Sequence, residues 1–372
     1  MSVPPKLARA FAGKTVLVTG HTGFKGSWLT AWLQRLGARV TGLSLDIPTK
    51  PSHFEELGIA PEIDDRRVDI RSGKDVAGVI GEVRPDIVFH LAAQSLVRRS
   101  YRSPLESFET NALGTANVLE ALRLAQRPCI AVLITSDKCY DNVEWVWGYR
   151  ETDRLGGKDP YSGSKGAAEL VIRSYWASYF NASDSPVRIA VGRAGNVIGG
   201  GDWAEDRIVP DCIRAWAQGR PVEVRNPHAT RPWQHVLEPL SGYLWLAAML
   251  LQQRELNGEA FNFGPSLLED HPVSDVIAAL ARTWSGQADH CVVGAPAGSA
   301  EAGLLKLNCD KAFARLQWRA TLAFDEMIAL TGEWYDAYYR KDRSQSVLAL
   351  TAAQIDRYQD LARSRGLTWA CD

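Results

Sequence analysis

The feature that most constrains the fold of this chain is a glycine-rich turn near its amino end. Three glycines spaced GxxGxxG, namely Gly20, Gly23 and Gly26, follow an apolar run over residues 15–19 and precede a helix-favouring segment over 27–33. This order predicts a strand, a tight turn and an α-helix. Free N–H groups and the dipole at the start of such a helix favour a bound phosphate, so the turn predicts a dinucleotide site.

A carboxylate follows the next predicted strand. The second apolar run, over residues 38–45, ends at Asp46, about twenty residues after the last glycine of the turn. A carboxylate at this spacing bonds the adenosine ribose and repels a 2′-phosphate. The sequence therefore favours NAD over NADP.

Strand and helix patterns alternate through the first half of the chain. Besides the two runs above, strands are predicted over 87–92, 131–135 and 187–192. This alternation predicts an α/β fold, with a Rossmann-type doubly wound parallel sheet.

The chain is long enough for two domains. We assign residues 1–192 to an NAD-binding domain, to which a segment near 235–262 returns. Residues 193–372 are expected to form a smaller C-terminal α/β domain that binds the substrate. The last part, 342–372, has the periodicity of a terminal helix and carries no chemical motif.

Two short motifs carry side chains suited to moving protons. Ser136, Asp137 and Lys138 follow the fourth predicted strand, and Tyr161 precedes Lys165 by four residues. On a helix, that spacing places phenol and ammonium on one face, where the cation stabilises phenolate and lowers the tyrosine pKa. Such a phenol can act as a base toward an alcohol.

Composition narrows the range of partners. The 42 Lys and Arg residues balance 43 Asp and Glu, so no global field attracts nucleic acid or an anionic membrane. The longest apolar runs, such as 243–251, are too short to span a bilayer, and the six cysteines have no CxxC spacing. We expect a cytoplasmic protein without metal, nucleic-acid partner or membrane span.

Together these motifs resemble the extended short-chain dehydrogenase/reductase family, in its branch of nucleotide-sugar dehydratases and epimerases. The resemblance spans roughly residues 14–340 and includes blocks at 141–151, 193–203 and 231–240. The Ser-Asp-Lys motif is similar to the group of 4,6-dehydratases that act on CDP-glucose, whereas relatives acting on dTDP-glucose carry Thr-Asp-Glu. Lys138 is therefore the discriminating residue.

The resemblance implies a reaction in which NAD is regenerated: C4 oxidation, loss of water across C5 and C6, and hydride return to C6. The product would be CDP-4-dehydro-6-deoxy-D-glucose, for deoxysugar or O-antigen-type polysaccharide synthesis. Tyr161 would take the 4-hydroxyl proton while Ser136 bonds that oxygen, and Lys165 would also bond the nicotinamide ribose. Asp137 would be the acid at C6 and Lys138 the base at C5, but coupled groups titrate as a pair and this division stays open.

The resemblance also implies contacts with both ligands. Arginines suit the substrate diphosphate because a guanidinium bonds phosphate oxygens bidentately, although structural ion pairs, and core packing for the tryptophan, remain alternatives. The expected cofactor contacts are Gly20, Gly23, Phe24, Gly26, Asp46, Asp69, Ile70, Leu91, Ala92, Ala93, Gln94, Tyr161 and Lys165. The expected substrate contacts are Arg193, Asn196, Asp202, Trp203, Arg207 and Arg231.

The alternative functions are another nucleotide-sugar 4,6-dehydratase or a 4-epimerase of the same family, and a catalytically silent protein of the same fold. A 4-epimerase would share Tyr161 and Lys165 but would not need an acid and a base at C6 and C5. Helical patterns over 101–123 and 161–180 suit the four-helix interface of the family, so a homo-oligomer, dimer or tetramer, is expected.

Overall fold

The computed structural model describes residues 6–266, 271–293, 304–340 and 345–371. Residues 342–344 and 372 of the predicted terminal segment lie outside this part. The strands are β1 (Thr15–Thr19), β2 (Arg39–Ser44), β3 (Asp64–Arg67), β4 (Ile87–His90), β5 (Cys129–Ile134), β6 (Val187–Ala194), β7 (Val197–Ile198), β8 (Val222–Val224), β9 (Thr230–Arg231), β10 (Gln234–His235), β11 (Ala260–Phe263), β12 (His271–Pro272) and β13 (His290–Val292).

Helices cover both faces of the main sheet, and one of them, at Leu237–Gln252, comes from the later part of the chain. They are α1 (Lys6–Phe11), α2 (Phe24–Arg35), α3 (His53–Leu57), α4 (Gly73–Val83), α5 (Val97–Arg102), α6 (Pro104–Phe108), α7 (Gly114–Ala125), α8 (Pro160–Tyr175), α9 (Ile208–Ala217), α10 (Leu237–Gln252), α11 (Val273–Ala281), α12 (Asp310–Leu316), α13 (Phe324–Tyr339) and α14 (Val347–Ser364).

One seven-stranded sheet organises the molecule, in the order β11-β6-β5-β4-β1-β2-β3. Every neighbouring pair in it is parallel. The predicted α/β class with a Rossmann-type parallel sheet is confirmed. β3 and β11, at the two edges, were not predicted as strands.

Apolar side chains alternate between the two faces of the sheet, as strand geometry requires. In β5, Ile130 and Val132 belong to a core shared with α2 and α10, whereas Ala131 and Leu133 belong to a core shared with α4 and α7. Because both faces are buried, the strands read as continuous apolar runs.

Strand order reverses between β1 and β4, and this switch point fixes where ligands can bind. The glycine turn follows β1, residues 91–94 follow β4, and residues 136–138 follow β5. Parallel strands bring all three segments to the same edge of the sheet.

The segment near 235–262 adds to this sheet. Its strand β11 pairs with β6, from Ala260 opposite Val191 to Phe263 opposite Ala194. Its helix α10 is buried over most of its length, from Leu237 to Leu250. No helix within the described ranges is both long and apolar enough to cross a membrane.

A buried carboxylate joins α10 to the carboxyl-terminal helix α14. Glu238 accepts hydrogen bonds from the backbone N–H groups of Thr321 and Leu322, and from the Tyr358 hydroxyl at 2.8 Å. Burial raises the pKa of Glu238 from 4.5 to about 7, although these donors act in the opposite direction. Since the folded protein holds this proton more tightly than the unfolded chain, protonation of Glu238 stabilises the fold.

We predict that the stabilisation from Glu238 is complete below pH 4.5 and is lost as the pH rises through about 7. The loss is up to about 3 kcal/mol of unfolding free energy. Glu238→Gln keeps an acceptor oxygen but cannot ionise, so its unfolding free energy should fall less over this interval. Urea denaturation of both proteins at several pH values measures the difference, and parallel pH profiles would contradict the prediction.

Candidate active site

The glycine turn is so tightly packed that two of its glycines cannot carry a side chain. Gly20 has a positive φ of 77°, and a Cβ there would stand 2.7 Å from the backbone nitrogen of Ala92. A Cβ on Gly26 would stand 2.0 Å from the carbonyl oxygen of Gly20. The turn therefore fits closely between β1 and the segment after β4, with α2 starting directly behind it.

The surroundings of this turn fit a dinucleotide. The first N–H groups of an α-helix have no partner within the helix, so the start of α2 offers donors that suit a diphosphate. A Cβ on Gly23 would meet only the Gly20 carbonyl, at 3.3 Å, so the backbone is open there. Asp46 is exposed at the end of β2, and its carbonyl accepts a 2.6 Å hydrogen bond from the Thr22 hydroxyl.

Several of the expected cofactor contacts lie beyond the ends of β3 and β4. Asp69 accepts hydrogen bonds from the Arg71 guanidinium at 2.6 and 2.9 Å, which lower its pKa, and Ile70 is buried against Gly114. Leu91, Ala92 and Ala93 are partly exposed. The carboxylate of Asp69 is therefore already bonded to an arginine within its own loop.

Gln94 is a structural residue of the loop after β4. Its side-chain amide donates to the Leu96 carbonyl at 3.1 Å and to the Ser107 hydroxyl at 2.9 Å, and its side-chain oxygen accepts from the Leu96 N–H at 2.6 Å. Its backbone N–H donates to Asn111. Both polar atoms of this side chain already have partners within the protein. Gln94 would therefore affect a cofactor only through the position of its loop.

The Ser-Asp-Lys motif forms a short turn at the end of β5. The Ser136 hydroxyl donates to Asp137 Oδ1 at 2.8 Å and accepts from the Lys138 backbone N–H at 3.2 Å. Asp137 is only 2 % exposed, and its Oδ2 has no hydrogen-bond partner among the described residues. Such an oxygen is available to a bound substrate.

Tyr161 and Lys165 lie in the first two turns of α8, which begins at Pro160 after an Asp159 cap. Burial raises the pKa of Tyr161 to about 12, although the Ser136 hydroxyl acts in the opposite direction. Burial also lowers the pKa of Lys165 to about 8. The sequence predicted that Lys165 lowers the pKa of Tyr161, but in the structure the largest effect on this pKa is burial, which raises it.

Lys25 reaches the same site, which sequence reasoning did not foresee. Its Nζ lies 5.9 Å from the ring centre of Tyr243. Its pKa is lowered to about 7, mainly by burial and also by the charges of Arg207 and Lys165, whereas the charge of Asp137 acts in the opposite direction. The signal in the sequence is its position inside the glycine turn, between Gly23 and Gly26.

Arg193 is buried and bonded within the protein. It is 3 % exposed, and its guanidinium donates to both oxygens of Glu169 at 2.8 Å, to the Tyr140 hydroxyl at 2.8 Å and to the carbonyl of Glu151 at 3.1 Å. These bonds favour the alternative of a structural ion pair at Arg193, because this buried guanidinium is already bonded within the protein.

The remaining expected substrate residues fall into two groups. Trp203 is buried in an aromatic cluster with Trp334, Tyr335 and Tyr338, which favours the alternative of core packing for this residue. Asp202 is buried and pairs at 2.8 Å with the half-buried Arg207, whose charge acts on Tyr161 and Lys25, and Asn196 and Arg231 are partly exposed.

We predict that breaking the buried ion pair costs more than breaking an exposed one. Glu169→Gln leaves Arg193 uncompensated, and its unfolding free energy should fall by about 3–5 kcal/mol. Glu259→Gln, in the half-exposed pair with Lys311, should cost less than about 1 kcal/mol. Denaturant titration compares the two variants, and equal losses would refute the structural role of Glu169.

The chain is similar to known proteins over most of its length. The GDP-mannose 4,6 dehydratase family model matches residues 17–331. The chain is 44% identical to CDP-glucose 4,6-dehydratase of Salmonella typhimurium, over 93% of this chain and 96% of that protein.

Solved structures agree on the fold. A UDP-glucose 4-epimerase of Thermus thermophilus in complex with NAD has a TM-score of 0.73 and 27% identity, covering 86% of this chain and 98% of that one. The dTDP-glucose 4,6-dehydratase DesIV of Streptomyces venezuelae has a TM-score of 0.73 at 21% identity, covering 86% and 96%. The chain therefore belongs to the GDP-mannose 4,6 dehydratase family, within the extended short-chain dehydrogenases/reductases.

Proposed function

We propose that this protein is an NAD-dependent CDP-glucose 4,6-dehydratase, a hydro-lyase. The observation that carries the proposal is the buried acid Asp137 beside Lys138, at the strand end that faces Tyr161. The similarity to the Salmonella enzyme supports the substrate, because that protein is named for CDP-glucose. An epimerase would have no use for an acid and a base next to its tyrosine.

We assign the cofactor to the glycine turn. The start of α2 at Phe24 would hold the diphosphate, Asp46 the adenosine ribose, and Lys165 the nicotinamide ribose. NAD supplies, when bound, a reversible acceptor for the hydride that leaves C4 and is returned at C6. The complex of the related epimerase with NAD supports this choice.

The residues of the site divide the proton transfers. Tyr161 as phenolate takes the 4-hydroxyl proton, and Ser136 hydrogen-bonds the same oxygen. The resulting ketone acidifies C5, so Lys138 can remove that proton. Asp137 protonates the departing 6-hydroxyl, and its unbonded Oδ2 is the oxygen suited to this contact.

On the substrate side, Arg207 is the strongest candidate for the diphosphate. It is partly exposed, it is held by Asp202, and its charge acts on Tyr161. Asn196 and Arg231 are secondary candidates for the same contact.

We also propose that the boundary between the two domains lies between residues 192 and 193. The strand β11 and the helix α10 come later in the chain but would belong to the cofactor-binding domain.

A panel of nucleotide-sugars tests the function. We predict that the purified protein removes water from CDP-glucose, and not from dTDP-glucose, GDP-mannose or UDP-glucose, as measured by mass spectrometry of each product. Lys138→Ala should slow the reaction about 10²–10⁴-fold, as expected for a lost general base. The exposed Lys74→Ala on α4 is the matched control and should keep the wild-type rate.

Two results of this panel would contradict the proposal. An unchanged mass with an inverted C4 would show an epimerase, and no reaction with any substrate would favour a silent protein. Full dehydration by Lys138→Ala would reject its assignment as the base.

Homo-oligomer formation through the helices from α5 to α8 is also proposed. Large apolar side chains are exposed there, and contiguous exposed apolar surface marks an interaction site. They are Tyr101, Leu105, Leu113, Leu124, Leu170 and Tyr179, between 50 and 75 % exposed.

We predict that Leu170→Glu lowers the mass of the assembly, because a buried charge at an interface is unfavourable. Light scattering after gel filtration measures it. Phe313→Glu, an exposed apolar residue on α12, is the matched control and should leave the mass unchanged. A wild-type protein that is already monomeric would refute this interface.

A further inference from the structure

The carboxyl-terminal helix α14 is joined to the start of α2 by buried side chains. Thr351 on α14 and Ser27 on α2 both contact the imidazole of His53, with their oxygens 3.0 Å from Nε2 and 2.8 Å from Nδ1. All three residues are at most 2 % exposed. α14 begins after residue 331, where the match to the family model ends. A terminal segment without a chemical motif is therefore bonded to the helix that follows the glycine turn.

The hydrogen bonds between these side chains run in one direction. The Ser27 hydroxyl donates its only proton to the carbonyl of Phe24, the first residue of α2, at 2.9 Å. Ser27 must therefore accept from His53, so Nδ1 carries the ring proton and Nε2 accepts from Thr351. Trp334 donates from Nε1 to the same Thr351 oxygen at 3.4 Å. Burial lowers the pKa of His53 to about 3, so the ring is neutral, with one donor and one acceptor.

The ring of His53 is held by its neighbours. The Trp28 ring stacks on it at a centroid distance of 5.0 Å, and the Trp334 ring lies at 5.6 Å in a T-shaped arrangement. A Cβ on Gly201 would stand 2.5 Å from Cδ2 of His53, so the loop before Asp202 packs directly against the ring. Because the ring is held on these sides, it keeps α14 and the start of α2 at a fixed separation.

The bonds of Ser27 act on the part of α2 that would meet the cofactor. Its backbone N–H donates to the Gly23 carbonyl at 2.9 Å, and its hydroxyl donates to the Phe24 carbonyl. In a planar trans peptide, a carbonyl points opposite to the N–H of the next residue. These two bonds therefore orient the N–H groups of Phe24 and Lys25. Such groups at a helix start are the donors that bind a diphosphate.

We propose, given the cofactor site argued above, that Thr351 is a positioning residue for the diphosphate of NAD. It acts through His53 and Ser27 on the first N–H groups of α2. Without the Thr351 hydroxyl, Nε2 of the ring becomes a buried acceptor that has lost its donor, which favours movement of the ring away from Ser27. The first turn of α2 is then held less firmly, and a ligand bound to less ordered donors is released faster.

Exchange of bound NAD for isotope-labelled NAD in the full-length protein measures this release. Thr351→Val replaces the hydroxyl by a methyl group, and it should raise the dissociation rate about tenfold. Thr331→Val is the matched control, since Thr331 is equally buried and donates to the Met327 carbonyl within its own helix. This control should keep the wild-type rate, although it also loses a buried hydroxyl. An unchanged rate in Thr351→Val, or an equal rise in both variants, would overturn the proposal.

A second variant tests the route through Ser27. Ser27→Ala should also raise the rate of NAD dissociation, because the Phe24 carbonyl loses the serine donor. If Thr351 acts through this serine, adding Thr351→Val to Ser27→Ala changes the rate no further. Effects that multiply in the double variant would reject this route. A wild-type protein that binds no labelled NAD would instead refute the proposed cofactor site, and this inference with it.

Discussion

The active-site geometry depends on the buried ion pair between Glu169 and Arg193. Glu169 lies on α8, eight residues after Tyr161, and Arg193 lies near the end of β6. The same carboxylate accepts a 2.5 Å hydrogen bond from Thr135, the residue before Ser136. The pair therefore fixes the helix with the tyrosine against the strand end with the serine and the acid, and a shift in either would separate the groups that exchange protons.

The sequence predicted the central strands because a parallel sheet buried on both faces needs continuous apolar runs. It missed β3, whose four residues, Asp64 to Arg67, are all charged. This strand pairs only with β2 at the edge of the sheet, so nothing in its own composition reveals it. β11 is short and arrives from a distant segment, and its pairing with β6 depends on tertiary structure.

Prediction of the site residues was limited in the same way, because some of their contacts depend on tertiary structure. The glycine turn, and the tyrosine and lysine on α8, could be predicted because each depends on local spacing. Arg193 could not, since the carboxylate that binds it lies 24 residues earlier on another element. Trp203 is covered by aromatic residues of α13, more than a hundred positions later. In each case the sequence gives the residue type, while the fold decides what that side chain faces.

Local charges explain how a nearly neutral protein can hold anionic ligands. The net charge is −1, yet Lys25, Lys165 and Arg207 act on the groups around Asp137. With the start of α2, they concentrate positive potential at one edge of the sheet, where parallel strands end. The same potential opposes protonation of Lys25, and the charge of Arg207 favours the phenolate of Tyr161, although burial has the larger effect on that tyrosine. Attraction of the diphosphates and tuning of the proton-transfer groups therefore have a common electrostatic origin.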